Sequence, residues 1–266
     1  MWQQCWWRQW SLVGALVLAV TAPGFAVDGV IEINQARAKA GGVTPSDTPR
    51  FPVTLDHSGS YRLTGNLDVT DASARPSGVG AENTTAIQVT ADNVTIDLNG
   101  FTIKGPSVCQ TVGLCSTCTF TGSCLSLIGT TGVGIVSFNN TNIAVVNGTV
   151  QGMGADGICV IGSARIEGVS AIGNGGSGIF VLGQSLVAHS RALSNGSGGI
   201  GAEDSAVLGN TLACNRGLGL SLAAGGGYTG NVINNNNSNG NTAPQVSGGH
   251  EMPAGSNVCH NSTTCP

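Results

Sequence analysis

The sequence predicts an all-β fold, a single-stranded parallel β-helix in which short strands stack winding upon winding, with a short helix over its N-terminal end and a disulfide-stapled C-terminal tail. Three observations carry this expectation. Segments ending in Asn174, Asn195, Asn215 and Asn236 recur every 20 or 21 residues, a period that suits one winding of a solenoid. Aligned, they read ARIEGVSAIGN, SLVAHSRALSN, SAVLGNTLACN and YTGNVINNN, with Ile166, Val187, Val207 and Tyr228 in one column and Ala171, Ala192, Leu212 and Ile233 in another. A second short apolar run, GICVI at 157, GIFVL at 178, GIGAE at 199 and GLSLA at 219, alternates with these segments, so each repeat holds at least two strands. Leucine-rich repeats share the length, but their leucine consensus is missing. In a parallel β-helix, side chains one repeat apart stack at about 4.8 Å, so the apolar columns form the core. The Asn column at 174, 195, 215 and 236 is expected at left-handed corners, each amide bonding the next asparagine, with Asn210 and Asn231 at another corner.

Taken in order, residues 1–26 read as a secretory signal peptide. Arg8 precedes the apolar core SLVGALVLAV, and a small-residue end falls at Ala26. The apolar run is too short for a membrane span. Residues 27–80 form the N-terminal cap and first strands. In IEINQARAKA, Ile33, Ala36 and Ala40 fall at helical spacing before the stop Gly41-Gly42, which places a capping helix over the open end of the stack. PVTLDHSGSYRLTGNLDV alternates on both sides of a turn at 57–59 and reads as two strands. Residues 81–240 carry the β-helix, interrupted by a Cys-rich insertion at 107–127, and 241–266 form the tail.

The pattern G-I-x-V opening a winding and G-N-x-h-x-x-N closing it resembles the right-handed parallel β-helix repeats of the pectin-lyase-like superfamily. NVTIDLNGFTIKG at 93–105 resembles the first full winding of a family of exported bacterial β-helix proteins. The opening at 28–53, the segment TAPQVSGGH and the terminal cysteine pair are similar too. The resemblance implies a right-handed helix; the expectation is roughly six windings, about 30 Å long, and, with the signal peptide, a secreted, cell-surface or periplasmic location. It fixes no reaction, because that superfamily holds lyases, hydrolases, esterases, adhesins and members of no assigned activity.

Composition narrows the function. Ten basic residues less Arg8 leave 9 against 14 acidic ones, a net charge of −5 with no basic stripe, so nucleic acid is not the expected partner. Glycine, at 42 of 266 residues, follows no triplet period, which excludes collagen and favours tight corners. Only 9% of residues are charged, leaving few groups for acid, base or ligand chemistry. Eight cysteines beyond Cys5 in an exported chain point to disulfides rather than zinc. They admit 105 complete connectivities, and the one pair expected within them is Cys259 with Cys265. In the runs at 134–138, 157–161 and 178–182, Val136, Phe138, Cys159, Ile161, Phe180 and Leu182 face outward as an apolar stripe. The insertion, with Leu125, Leu127 and Ile128, is the expected cover, pinned by a disulfide to Cys159.

For catalysis the candidates are Arg165 and Glu167 on one winding with His189 and Arg191 on the next, since an Arg clamp and a His base could serve a carboxylated sugar. The plainer reading is a solvated face with modest ion pairing. The remaining acidic residues of the windings, Asp156, Glu203 and Asp204, fall on different faces, and no NTD, paired DD, GHG or RIK motif of the polygalacturonases is present. No cofactor is implied; calcium enters only if the protein is a lyase. Three Met and four dispersed His give no soft-metal cluster. The expectation is a monomeric secreted protein presenting an extended surface to a polysaccharide or cell-surface glycan without catalysis. The alternatives are a polysaccharide lyase or glycoside hydrolase, and a structural envelope or adhesive protein.

Overall fold

A computed structural model describes residues 29–107, 110–112, 115–117, 132–223, 225–237, 244–253, 256–259 and 265. The segment read as a signal peptide, 1–26, lies outside them, as does most of the Cys-rich insertion. Among the described residues the chain is built from two long parallel sheets, one of 15 strands and one of 8. The chain passes repeatedly from one to the other, an arrangement consistent with a parallel β-helix. Ile158–Ile161 lies in the second sheet, Ala164–Ile172 in the first, and Ile179–Leu182 in the second again. No helix among the described residues is long and apolar enough to cross a membrane.

The repeat columns are register partners. Ile166 pairs with Val187, Val187 with Val207 and Val207 with Tyr228. Ala171, Ala192, Leu212 and Ile233 follow in the same way. Ile135, Ile158, Ile179, Ile200 and Leu220 form the second sheet's inward column. Every one of these side chains is buried, Tyr228 at 7% exposure being the most open. Burying one such aliphatic side chain contributes about 1.5–3 kcal/mol, so stacking the columns drives the winding.

The second sheet has eight strands where about six windings were expected. The additional ones come from both ends. Val53–Leu55 and Gly59–Leu63 flank a turn but belong to different sheets, each parallel to a strand of the next winding rather than to the other. In the tail, Val246–Ser247 and His250–Glu251 add further strands. The helix expected over the N-terminal end spans only Gln35–Ala40, because Asn34 accepts the Arg37 amide at 3.1 Å and ends the preceding strand Ile31–Ile33. The free edge of Val53–Leu55 is closed by side chains: Thr54 donates its amide to Asp47 Oδ1 at 2.8 Å and accepts from Thr44 Oγ1 at 2.6 Å. A blunted edge of this kind prevents further strand pairing.

At one corner the asparagine side chains turn inward and form a ladder. Asn195 Oδ1 accepts the Asn174 amide at 3.0 Å and Asn174 Nδ2 at 3.1 Å. The same pair of bonds runs from Asn195 to Asn215, from Asn215 to Asn236, and from Asn236 to Gln245 Oε1. The left-handed backbone expected at these asparagines lies one residue earlier, at Gly173, Ser194, Cys214 and Asn235, with φ between 54° and 63°. The physical reason is that the inward asparagine is the residue whose amide must face along the axis, so its predecessor makes the bend. A second ladder runs through Ser190, Asn210, Asn231 and Asn257 to Glu251. The ladder also explains the glycine of G-I-x-V. A Cβ on Gly178 would sit 2.7 Å from Asn195 Nδ2 and 2.9 Å from the Gly199 carbonyl.

Candidate functional site

On the described outer surface, a charged patch and a groove bring polar side chains together. On the first sheet, Arg165 and Glu167 alternate along Ala164–Ile172 with Ile166 pointing inward, so both reach solvent on one face. Arg165 Nη1 donates to Glu167 Oε2 at 2.7 Å, and His189 Nδ1 lies 3.5 Å from Glu167 Oε1. His189 reaches this position from a left-handed corner, φ 49°, just after Leu186–Ala188. The Arg165 hydrogen bond, joined by that of His189, holds the Glu167 carboxyl below the ordinary glutamate range. Arg191 begins the next leg of the winding, in register with Ser170 and Thr211, and forms no ion pair among the described residues. Three of the four candidate residues therefore meet on an exposed surface, while Arg191 stands on the neighbouring row.

The other acids are dispersed. Asp156 is buried and accepts the Ser177 amide; Glu203 ends the second-sheet strand Ile200–Glu203; Asp204 bends away at φ 45° toward Gly225. Among the described residues no three His, Cys, Asp or Glu side chains gather within reach of a common metal ion. The calcium-binding set of a lyase would need several convergent carboxylates. Asp56 and His57 form a further contact in the turn between Val53–Leu55 and Gly59–Leu63, Oδ1 to Nδ1 at 2.8 Å. Burial acts to raise the Asp56 carboxyl, and hydrogen bonds from Ser46, Thr44 and His57 outweigh it, holding the group well below the usual range.

The second feature is an open groove of about 530 Å³ on the outer face of the second sheet. Toward the N-terminal end that face is apolar and closed. Val136 and Cys159 are fully buried, although they point away from the main core, and Phe138, Ile161 and Phe180 pack against them as a separate cluster. Cys159 is disulfide-bonded, as is Cys214. The expected covering residues Leu125, Leu127 and Ile128 lie outside the described residues. Toward the C-terminal end the column of Val136, Cys159 and Phe180 continues as Gly201 and Ser221. The apolar stripe stops there. A Cβ on Gly201 would lie 2.8 Å from Phe180 Cδ2, so the missing side chain lets the ring lean over the next strand. The lining takes in Glu203 at the end of Ile200–Glu203 and Ser177 and Ser197 ahead of the strands Ile179–Leu182 and Ile200–Glu203. Sequence reading placed Phe180 on the outer stripe but missed the groove, whose signal is the loss of bulk at Gly201 one repeat later.

Cys259 and Cys265 are joined in the tail, with Cα atoms 5.1 Å apart. Comparison of the chain with protein-family models, with curated proteins and with solved structures found no match.

Proposed function

We propose that this chain is an exported, right-handed parallel β-helix protein of the pectin-lyase-like kind, which presents an extended outer surface to a polysaccharide or cell-surface glycan without turning it over. It acts outside the cytoplasm as a monomer, secreted, surface-held or periplasmic. The observation that supports this reading is the open groove on the second sheet, where an aromatic ring, hydroxyls and a carboxylate are set along the repeat axis. A polymer of repeating sugars and a stack of repeating windings share a linear geometry, and aromatic side chains with a few placed polar groups suit such a ligand.

A second reading, a polysaccharide lyase or glycoside hydrolase, draws on the contact of Glu167 with Arg165 and His189. One experiment separates the two. The protein is incubated with a panel of uronate and neutral polysaccharides while unsaturated products, new reducing ends and binding are followed together. Binding without turnover is the expected result. Turnover of any of them would overturn the proposal in favour of the enzyme, and its loss in Glu167→Ala would place the reaction at that contact.

A further inference from the structure

The groove has a charge character that selects among glycans. Its lining contains one ionisable group, Glu203, which is half-buried and whose carboxylate makes no hydrogen bond or ion pair among the described residues. Arg165 and Arg191 belong to the other sheet and His189 to its corner, while Arg216, in the turn before the lining residues Gly217 and Leu218, is exposed and not itself part of the lining. Phe180 is half-buried, with its ring leaning over Gly201, and Ser221 continues the same column. From Phe180 to Ser221 the groove crosses two inter-strand spacings, about 10 Å. A face of this kind attracts a cation in two ways. The ring quadrupole draws an ammonium to the aromatic face, and a free carboxylate accepts a charge-assisted hydrogen bond from it. A polyuronate, by contrast, would meet Glu203 and a negatively charged protein.

We infer that this groove binds a polymer of amino sugars carrying free ammonium groups, with one pyranose ring against Phe180, its ammonium directed to Glu203, and its hydroxyls met by Ser177, Ser197 and Ser221. The inference deepens the glycan-binding proposal and rests on it. Neither Phe180 nor Glu203 touches the patch of Arg165, Glu167 and His189, so the two surfaces are separable by mutation.

The test uses the full chain and three probes in calorimetric titration: a fully deacetylated glucosamine tetramer, its N-acetylated counterpart and a galacturonate tetramer. The deacetylated tetramer binds most tightly, and Glu203→Gln and Phe180→Leu each weaken it about tenfold. Phe180→Leu keeps apolar volume while removing the ring face, and circular dichroism confirms that both variants fold. Glu32→Gln, an exposed carboxylate on the first strand, leaves binding unchanged and so separates the groove from general charge attraction. Equal affinity for the acetylated and deacetylated probes, or no effect of Glu203→Gln, overturns the ammonium assignment while leaving a glycan-binding role standing. Failure of all three probes, together with every glycan in the wider panel, brings down both.

Discussion

Asn195 supplies the most informative perturbation of the fold. Its Oδ1 accepts the Asn174 amide and side chain at 3.0 and 3.1 Å, and its Nδ2 donates to Asn215 Oδ1 at 2.8 Å and to the Ala171 carbonyl at 3.2 Å. Truncation in Asn195→Ala leaves the buried Asn174 N–H without this acceptor. It also reduces Asn174 Nδ2 to its bond with Val150 O at 3.3 Å. An orphaned buried donor costs about 1–3 kcal/mol and each of the three remaining lost bonds about 1 kcal/mol, so the variant loses about 4–6 kcal/mol. That is a large part of the stability of an ordinary domain. Asn195→Asp loses more, because a carboxylate oxygen then faces Asn215 Oδ1 across the distance the amide hydrogen bond now spans. Urea unfolding followed by circular dichroism reads the global loss. Amide exchange at Asn174 reads the local one, since windings in a repeat array need not unfold together. Asn83→Ala, at an exposed asparagine bonded only weakly to Glu82, is the control and stays within about 0.5 kcal/mol of the parent. If Asn195→Ala is as mild as that control, the ladder is not holding the corner and the reasoning fails.

Asp47→Ala removes the acceptors of the Val43 and Thr54 amides and reopens the edge of Val53–Leu55. A loss of about 2–4 kcal/mol follows, with edge-to-edge association visible as concentration-dependent light scattering. The acid response combines two signs. Asp56 has a lowered carboxyl, so its contribution is present above the ordinary aspartate value of about 3.9 and is lost as pH falls through its folded value. Burial raises the Asp47 carboxyl, so its contribution is full below the unfolded value and diminishes as pH rises through the folded one. Accordingly Asp56→Asn flattens the decline in unfolding free energy below about pH 4, and an unchanged acid limb would contradict the assignment. Peptide mapping of the unreduced protein yields the Cys259–Cys265 pair and a peptide joining Cys159 to a cysteine of 107–127. A Cys159 linked to none of those cysteines rules out the insertion as the bonded cover of the apolar stripe.

The inward columns were legible because one residue per repeat must be apolar at a fixed period, and Ile166, Val187, Val207 and Tyr228 satisfy that without interruption. The asparagine period was legible for the same reason. The position of the left-handed bend was not, since Gly173, Ser194, Cys214 and Asn235 share no residue type and only the backbone identifies them. The outermost windings escaped notice because strands such as Val246–Ser247 are two residues long and show no alternation. Among the charged candidates, stacking of one repeat on the next puts Arg165, Glu167, His189 and Arg191 on one outer face near one corner. The bend at Gly168 and His189 divides the first sheet into two legs, however, and sets Arg191 on the second. The groove depends on an absent side chain at Gly201, which a search for chemically active residues passes over.

Registry between windings underlies the core, the ladders and the groove alike, and nuclear Overhauser contacts across the strands measure it directly. In a deuterated sample, cross-peaks should connect Ile166 with Val187, Val187 with Val207 and Ala171 with Ala192, each pair lying side by side in parallel. A displaced register, antiparallel connectivities, or helical sequential contacts through 164–172 would contradict the account.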